Sequence, residues 1–499
     1  MRNPFAHQEN APVGLITVTV MLGMIMAIID STIVNVALPT IGGNLGADVD
    51  EVSWIVTGYI LANVVVMPLN GWLTAYLGRK RFYAISLALF TVSSFLCGTA
   101  SNITSLIIWR IIQGIGGGAL QPTAQAILFE TYPPERRGAA MAIFGMGAMV
   151  GPAVGPTLGG YIVDNASWPL IFYINIPIGI VAFLMTMAFI PNPKFIARVT
   201  SGIDWAGLGL LTAGLASLQY VLERGEHDEW YSSNTIWILT IVAAVTLSLF
   251  IYRMLREKHP LVVLRVFRFA SFSIGNVIGI IMGFGLFGTA LILPLFFQTI
   301  LGLTAFDTGL VLLPGAVATA VSMVIIGRIL NRIDARASIV FGMGIFAVSC
   351  WLLGDLNTQA GYWDVFWPRV IQGFGLGFLF VPLTTLTLGD VPVADMAGAT
   401  GVSTLIRQLG GSFGIAILTT LLTHQTAVAW NVLASGVTQT HGLPVGALTQ
   451  MVATQASMVA YDFLFRLTSI VFVLTMPLVF FLKVRPRPSG APVMAMAAD

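Results

Sequence analysis

The sequence predicts an all-α integral membrane protein with fourteen transmembrane helices: two six-helix bundles plus two additional helices. Three observations predict it. Of 499 residues, 56% are hydrophobic and only 9% are charged, against about 25% charged in an ordinary soluble domain. The Lys, Arg, Asp and Glu residues fall in short clusters separated by apolar runs of roughly 18–25 residues, the length that crosses a bilayer as a helix. A glycine-rich motif of the first half recurs in the second at a constant offset. Helices are expected because a backbone in lipid must satisfy its own hydrogen bonds, and the runs lack the alternation of barrel strands.

Apolar windows run in order at about 14–37, 52–75, 83–100, 104–129, 139–162, 170–190 and 205–222. They continue at about 235–255, 272–300, 306–327, 338–355, 363–389, 398–423 and 463–483. With the N-terminus inside, the inside loops hold 19 of the 24 basic residues, among them Arg2, Arg79, Lys80, Arg81, Arg136, Arg137, Arg328, Arg332 and Lys483. On the outer side stand only Arg224 and Arg466, with acids such as Asp48, Asp50, Glu51, Glu226 and Asp228. The positive-inside rule then puts both termini in the cytoplasm of a multi-pass protein of the inner (plasma) membrane. No removable signal peptide is evident at the N-terminus. Cys97 and Cys350 lie within apolar runs and are expected as reduced, buried thiols.

The fourth window contains Arg110-Ile-Ile-Gln113-Gly114-Ile-Gly116-Gly-Gly118, and the twelfth contains Arg369-Val-Ile-Gln372-Gly373-Phe-Gly375-Leu-Gly377, an offset of 259. A second pair precedes it, GWLTAYLGRKR at 71–81 and GRILNRIDAR at 327–336. Duplication of a six-helix unit accounts for both. It divides the chain into an N-terminal bundle at 1–200, two inserted helices at 201–260 and a C-terminal bundle at 261–499. Transporters built from repeats place their substrate site at the repeat interface near the bilayer midplane.

Asp30 sits deep in the first window, where an ionised carboxylate costs roughly 2.5–3.5 kcal/mol unless partnered or facing water. It is the acid found well inside a window; Glu130, Asp164 and Glu223 stand at window ends. Ser31, Thr32 and Asn35 are its nearest polar neighbours in sequence. Arg110 lies at a comparable depth, about 12 Å below the outer end of its own helix at 1.5 Å per residue. If the two helices are neighbours, pairing favours the ionised carboxylate and separation in a dry state favours the protonated one. That alternation is a means of coupling proton movement to a conformational cycle. The fifth window carries Gly138, Gly147, Gly151, Pro152 and Gly155, small residues at four-residue intervals that clear one helix face for close packing. Gly71, Gly78 and Arg79 mark a tight basic turn. Asn35, Asn63, Gln113, Asn276, Gln298 and Arg407 are the polar candidates for a central substrate cavity.

No Walker-type phosphate loop, zinc-binding HExxH or Cys/His cluster occurs, so no enzyme chemistry and no bound cofactor are expected; the energy source is the proton gradient. The basic residues form no continuous stripe for nucleic acid. The expected partners are a small-molecule substrate, protons and membrane lipid.

These motifs resemble the major facilitator superfamily, and within it the 14-span drug:proton antiporter branch, over essentially the whole chain. Asp30, Asn35 and Ala37-Leu38-Pro39 match that branch's first-helix motif. Gly71, Leu73, Gly78 and Arg79 match the loop motif, and Arg110, Gln113 and Gly114 match the fourth-helix motif associated with proton transfer. Gly138, Gly147, Gly151, Pro152 and Gly155 match the antiporter motif, the most specific of the set. Phe172 to Gly179 and Arg407 to Gly411 also look typical of the branch. One departure is that the loop motif's usual Asp is Ala75 here and Asn331 in the second copy.

The resemblance implies proton-coupled export of hydrophobic or amphipathic drugs and toxic compounds by alternating access, hence antibiotic resistance. It also implies a periplasmic adaptor and an outer-membrane channel as partners, with the outside segment 424–461 as an accessible docking place. A dedicated metabolite or siderophore exporter of the same fold is the nearest alternative, and a non-transporting membrane sensor is the alternative of a different class.

Overall fold

The computed structural model describes residues 12–192, 203–257, 260–436 and 444–483. Among these residues there is no strand, and fourteen helices are long and apolar enough to cross a membrane. They are α1 (Val13–Leu45), α2 (Asp50–Leu77), α3 (Arg79–Gly98), α4 (Ile103–Thr131), α5 (Pro134–Asn165), α6 (Leu170–Phe189) and α7 (Trp205–Arg224). The second series is α8 (Asn234–Arg256), α9 (Ala270–Thr299), α10 (Asp307–Ile329), α11 (Ala335–Leu353), α12 (Tyr362–Gly389), α13 (Val393–Gly436) and α14 (Val445–Phe481). Arg2, Lys194, Arg198, Lys258, Arg485, Arg487 and His441 lie outside the described residues.

Local chemistry sets the helix ends. Asp48 accepts from the Glu51 N–H while the Glu51 carboxylate accepts from the Asp48 N–H, a reciprocal cap at the start of α2. Asn102, Asp204, Thr304 and Asp334 cap α4, α7, α10 and α11 one way, each side chain accepting from a first-turn N–H. Gly78 joins α2 to α3 at φ +83°, a backbone conformation that a side chain at Cβ disfavours. Successive helices run up and down, so the helix ends fall into two groups. One end gathers Arg79, Arg136, Arg137, Arg256, Arg328, Arg332 and Lys483, and we call it the basic end. The other gathers Asp48, Asp50, Glu51, Glu226 and Asp228, and is the acidic end. Large apolar side chains such as Leu184, Ile238 and Leu255 stand exposed on the outer faces, as lipid-facing positions require.

Each of the fourteen apolar windows forms a helix, but the last pair differs from expectation. The segment 424–461, expected as a solvated outside loop, is largely helical: α13 continues to Gly436 and α14 begins at Val445. The reason is local. Residues 423–435 contain no Pro or Gly, so the helix continues past the point where the chain ceases to be apolar. Asp462, just outside the expected window, therefore lies within α14.

The glycines of the repeated motif make paired contacts. A Cβ on Gly114 or Gly118 would meet the α2 backbone, and one on Gly116 would meet α3 at Ser86 and Phe90. Their counterparts Gly373 and Gly377 lie against α10 at Gly315 and Ser322, and Gly375 lies against α11 at Gly342. Small residues here let three helices approach at backbone distance in each copy. Gly147, Gly151, Gly155 and Gly159 form a seam against α1, meeting Met21, Ile28, Thr32 and Ile33 in turn. Thr32 donates across it to the Gly151 carbonyl at 3.0 Å. Pro152 continues the helix, and its side chain lies outside the described residues.

The two halves of the chain meet at the basic end. Asn70 donates to the Ala397 carbonyl at 3.0 Å and accepts from Thr123 at 2.7 Å. Asn331 donates to the Glu135 carbonyl, so the position that lacks the family's acid still bridges the halves. Phe144 stacks on Phe380 at 6.2 Å between ring centroids. At Gly71 an added Cβ would lie 2.6 Å from the Gly398 Cα, against backbone that has no rotamer to yield. Gly71→Val is therefore expected to hold the basic end open. Overpacking costs about 1–3 kcal/mol, which shifts a two-state balance about 5- to 150-fold. Labelling of Thr404→Cys by an impermeant maleimide from that side measures it: an unchanged rate in the Gly71→Val background would reject the steric reading.

Candidate functional site

Asp30 and Arg110 project from α1 and α4 into a space enclosed also by α2, α3 and α6, and neither side chain has any solvent exposure. Arg110 Nη1 lies 2.6 Å from Asp30 Oδ2. The guanidinium also donates from Nε to the Ile55 carbonyl at 3.1 Å and from Nη1 to Gln113 Oε1 at 2.7 Å. Its Cζ is 4.3 Å from the Tyr59 ring centroid and 5.7 Å from that of Phe172, close enough for cation–π attraction. The second carboxylate oxygen, Asp30 Oδ1, accepts from Gln113 Nε2 at 3.0 Å and Asn175 Nδ2 at 2.8 Å. Ser94 closes the network: it accepts from both amides at 3.1 and 2.9 Å and donates to the Phe172 carbonyl at 3.0 Å. The Cys97 thiol lies 3.7 Å from Gln113 Oε1.

This centre pairs its two charges away from water, with Arg110 Nη2 and Asn175 Oδ1 the atoms left without a partner. Two amides, from α4 and α6 and both held by Ser94 of α3, orient the carboxylate, and two rings and a carbonyl orient the cation. Sequence reading paired Asp30 with Arg110 by depth, and the structure brings them into contact together with Gln113. It did not find Ser94 or Asn175. Asn175 sits just past the first turn of α6, Leu170–Tyr173, and the signal was available as a lone amide in an apolar run. The residues nearest Asp30 in sequence turn elsewhere: Ser31 and Thr32 donate to the carbonyls of Ile28 and Ile29, and Asn35 is exposed.

The other candidates are dispersed. Asn63 packs against Gly117 and Gly118. Asn276 donates to Phe272 on its own helix at 2.8 Å, and Gln298 is exposed near the acidic end of α9. Gly138 lies against Leu330, the residue that ends α10. Arg79, placed in the basic turn, is only 6% exposed and grips Glu130 with Nη1–Oε2 at 2.5 Å and Nη2–Oε1 at 2.8 Å. Arg407 is buried on α13 with its guanidinium 5.5 Å from the Phe380 ring centroid. In the second copy Arg369 donates to Gln372, which lies 3.8 Å from Cys350. α9, the counterpart of α1, carries no Asp or Glu along its length. The acid thus belongs to the first half alone. Among the described residues no group of three or more His, Cys, Asp or Glu is arranged to hold a metal ion.

A family model described as Major Facilitator Superfamily matches residues 20–415. The multidrug export protein EmrB of Escherichia coli (strain K12) is 34% identical over 501 residues, covering 97% of this chain and 97% of that protein. The fatty acid resistance protein FarB of Neisseria gonorrhoeae is 34% identical, covering 95% of this chain and 97% of its own length. Among solved structures, the human organic anion transporter MFSD10 (TETRAN) superposes with a TM-score of 0.64 at 14% identity, over 94% of this chain and 100% of that one, a likeness of fold.

Proposed function

This chain belongs to the major facilitator superfamily, and from that premise we propose that it is a proton-coupled exporter of hydrophobic and amphipathic compounds working by alternating access. Relatives at the same identity are named for multidrug export and for fatty acid resistance, which supports an amphipathic cargo range over one dedicated metabolite. The observation that carries the coupling is the Asp30–Arg110 pair, sealed from solvent inside a moving bundle. We take the basic end as cytoplasmic, with both termini there and the acidic end facing outward across the plasma (inner) membrane. In the observed state the halves are joined at the basic end, and the acidic ends of α5 and α10 also meet, Thr157 against Gly309.

In this state Asp30 is ionised and held by Arg110, Gln113 and Asn175. A proton reaching the carboxylate removes the charge that Arg110 neutralises and weakens the tie between α1 and α4. α1 also carries the glycine seam with α5, so loosening one of its faces lets the first bundle rock as a unit. After rocking, release of the proton inward restores the pair. One elementary charge across 100 mV is worth about 2.3 kcal/mol, and a hundredfold gradient of a neutral solute costs about 2.8 kcal/mol at 1.4 per tenfold. One proton with a modest pH difference suffices.

The bundles are residues 1–200 and 261–499, with 201–260 inserted between them. No catalytic step or cofactor is required. The helical extensions of α13 and α14 at the acidic end are the docking place for a periplasmic adaptor leading to an outer-membrane channel. The deciding experiment is a susceptibility and efflux panel of amphipathic antibacterials in a pump-deficient host. The native chain is expected to raise tolerance to several, and addition of an exported compound to proteoliposomes to drive proton flux. Compound binding without any proton flux would identify a sensor instead.

A further inference from the structure

Three arginines among the described residues are less than a tenth exposed: Arg79 at 6%, Arg110 at 0% and Arg407 at 8%. The first two are closed by carboxylates, Glu130 at 2.5 Å and Asp30 at 2.6 Å. Arg407 has no hydrogen bond or ion pair among the described residues, whereas Arg110, whose Nη2 is likewise without a partner, bonds Asp30, Gln113 and the Ile55 carbonyl. The one favourable contact of Arg407 is the Phe380 ring, at 5.5 Å. No carbonyl of a neighbouring helix accepts from it, so a purely structural role lacks the partners such a role needs. A desolvated guanidinium with nothing to neutralise it is costly, and membrane cations of this kind mark ligand pathways.

Its position fits a ligand. Arg407 lies about 16 Å along α13 from Met396 at 1.5 Å per residue, near the middle of the bilayer. One turn before it, Thr404 hydrogen-bonds Gln125 of α4 at 3.5 Å; farther on, Ser412 accepts from Gln219 of α7 at 2.8 Å. α9 packs Gly283 against the Arg407 carbonyl. Phe380, beneath the guanidinium, stacks on Phe144 of α5 at 6.2 Å. The cation therefore sits where the two halves face each other, above an aromatic pair contributed by both. The centre around Asp30 is already neutral, and so offers a cargo anion no competing charge.

We propose that Arg407 and Phe380 form the recognition point for an acidic group on the exported compound, so that the preferred cargo is an amphipathic organic anion with a carboxylate or phenolate on an aromatic or apolar body. The proposal deepens the export reading and rests on it for the word cargo. Its test is equilibrium binding, read without a proton gradient, so failure of proton coupling and failure of this inference stay distinguishable.

The full chain in nanodiscs is titrated with radiolabelled 2-naphthoate and with 2-naphthamide, its neutral counterpart. The native chain is expected to bind the acid at least about tenfold more tightly, the scale of one charge-assisted pair. Arg407→Gln is expected to abolish that preference while leaving the amide's affinity unchanged, and Arg407→Lys to retain part of it. Equal affinity of the native chain for the two probes, or binding of neither, overturns the proposal whatever the variants do. Parallel loss of both probes in Arg407→Gln, with no preference recovered by Arg407→Lys, also overturns it.

Discussion

Asp30→Asn is expected to abolish proton-driven efflux in a chain that still inserts. The substitution keeps the shape of the side chain and removes the titratable group. In the native centre both carboxylate oxygens accept, Oδ2 from Arg110 and Oδ1 from Gln113 and Asn175. An amide supplies one acceptor and one donor, so whichever way the substituted side chain is turned, its NH2 faces an N–H donor. Arg110 keeps the Ile55 carbonyl, Gln113 and the Tyr59 ring, which is enough to hold the helix pair in a weakened form. Export then loses its drive entirely: an imposed pH gradient accumulates no compound in proteoliposomes, and resistance in a pump-deficient host falls to that of empty vector. Asp30→Glu, which keeps a titratable group on a longer arm, is expected to recover a fraction. Full gradient-driven transport by Asp30→Asn would dismiss Asp30 as the coupling group.

Arg110→Ala is expected to have the largest effect on stability. Removing one partner of a buried ion pair typically costs about 3–5 kcal/mol, because the remaining charge is left without compensation. Here the cost is compounded, since the substitution also vacates the volume between Tyr59 of α2 and Phe172 of α6. The double variant Asp30→Asn/Arg110→Ala leaves no orphaned charge. It is expected to be more stable than the single Arg110→Ala, with a coupling energy in a double-mutant cycle well above the few tenths of a kcal/mol seen for independent sites. Denaturation midpoints of purified protein in detergent provide the measurement. Strict additivity of the two substitutions would mean that the pair contributes nothing as a pair.

Much of this architecture is legible in the sequence because bilayer physics is one-dimensional. The fourteen apolar runs needed only length and hydropathy, and the meeting of Asp30 with Arg110 followed from equal depth on two helices. What depth does not encode is azimuth. Ser94 and Asn175 are uncharged residues in apolar runs, and only packing reveals that α3 and α6 turn them toward the same carboxylate. Azimuth also separates the glycines of α5: Gly147 to Gly159 face α1, whereas Gly138 and Gly145 face α10 and α12. The motif spacing puts Gly138 in one series with Gly147, Gly151 and Gly155 all the same. Arg79 looked like a solvated loop cation because its neighbours Lys80 and Arg81 are charged, and only its grip on Glu130 places it inside. The extensions of α13 and α14 went unread because hydropathy marks where lipid stops, whereas helix propensity and the positions of Gly and Pro decide where a helix stops.

Those extensions have a mechanical consequence. At 1.5 Å per residue the 44 residues of α13 measure about 66 Å, roughly twice the thickness of a hydrocarbon core of about 30 Å. The same rod carries Arg407 at mid-membrane and ends well clear of the lipid. A tilt of roughly 10° in the buried stretch would swing a tip roughly 30 Å away by about 5 Å. The far end of this helix is thus a pointer, magnifying each stroke into a displacement that a dye pair or a neighbouring protein outside the membrane is able to read.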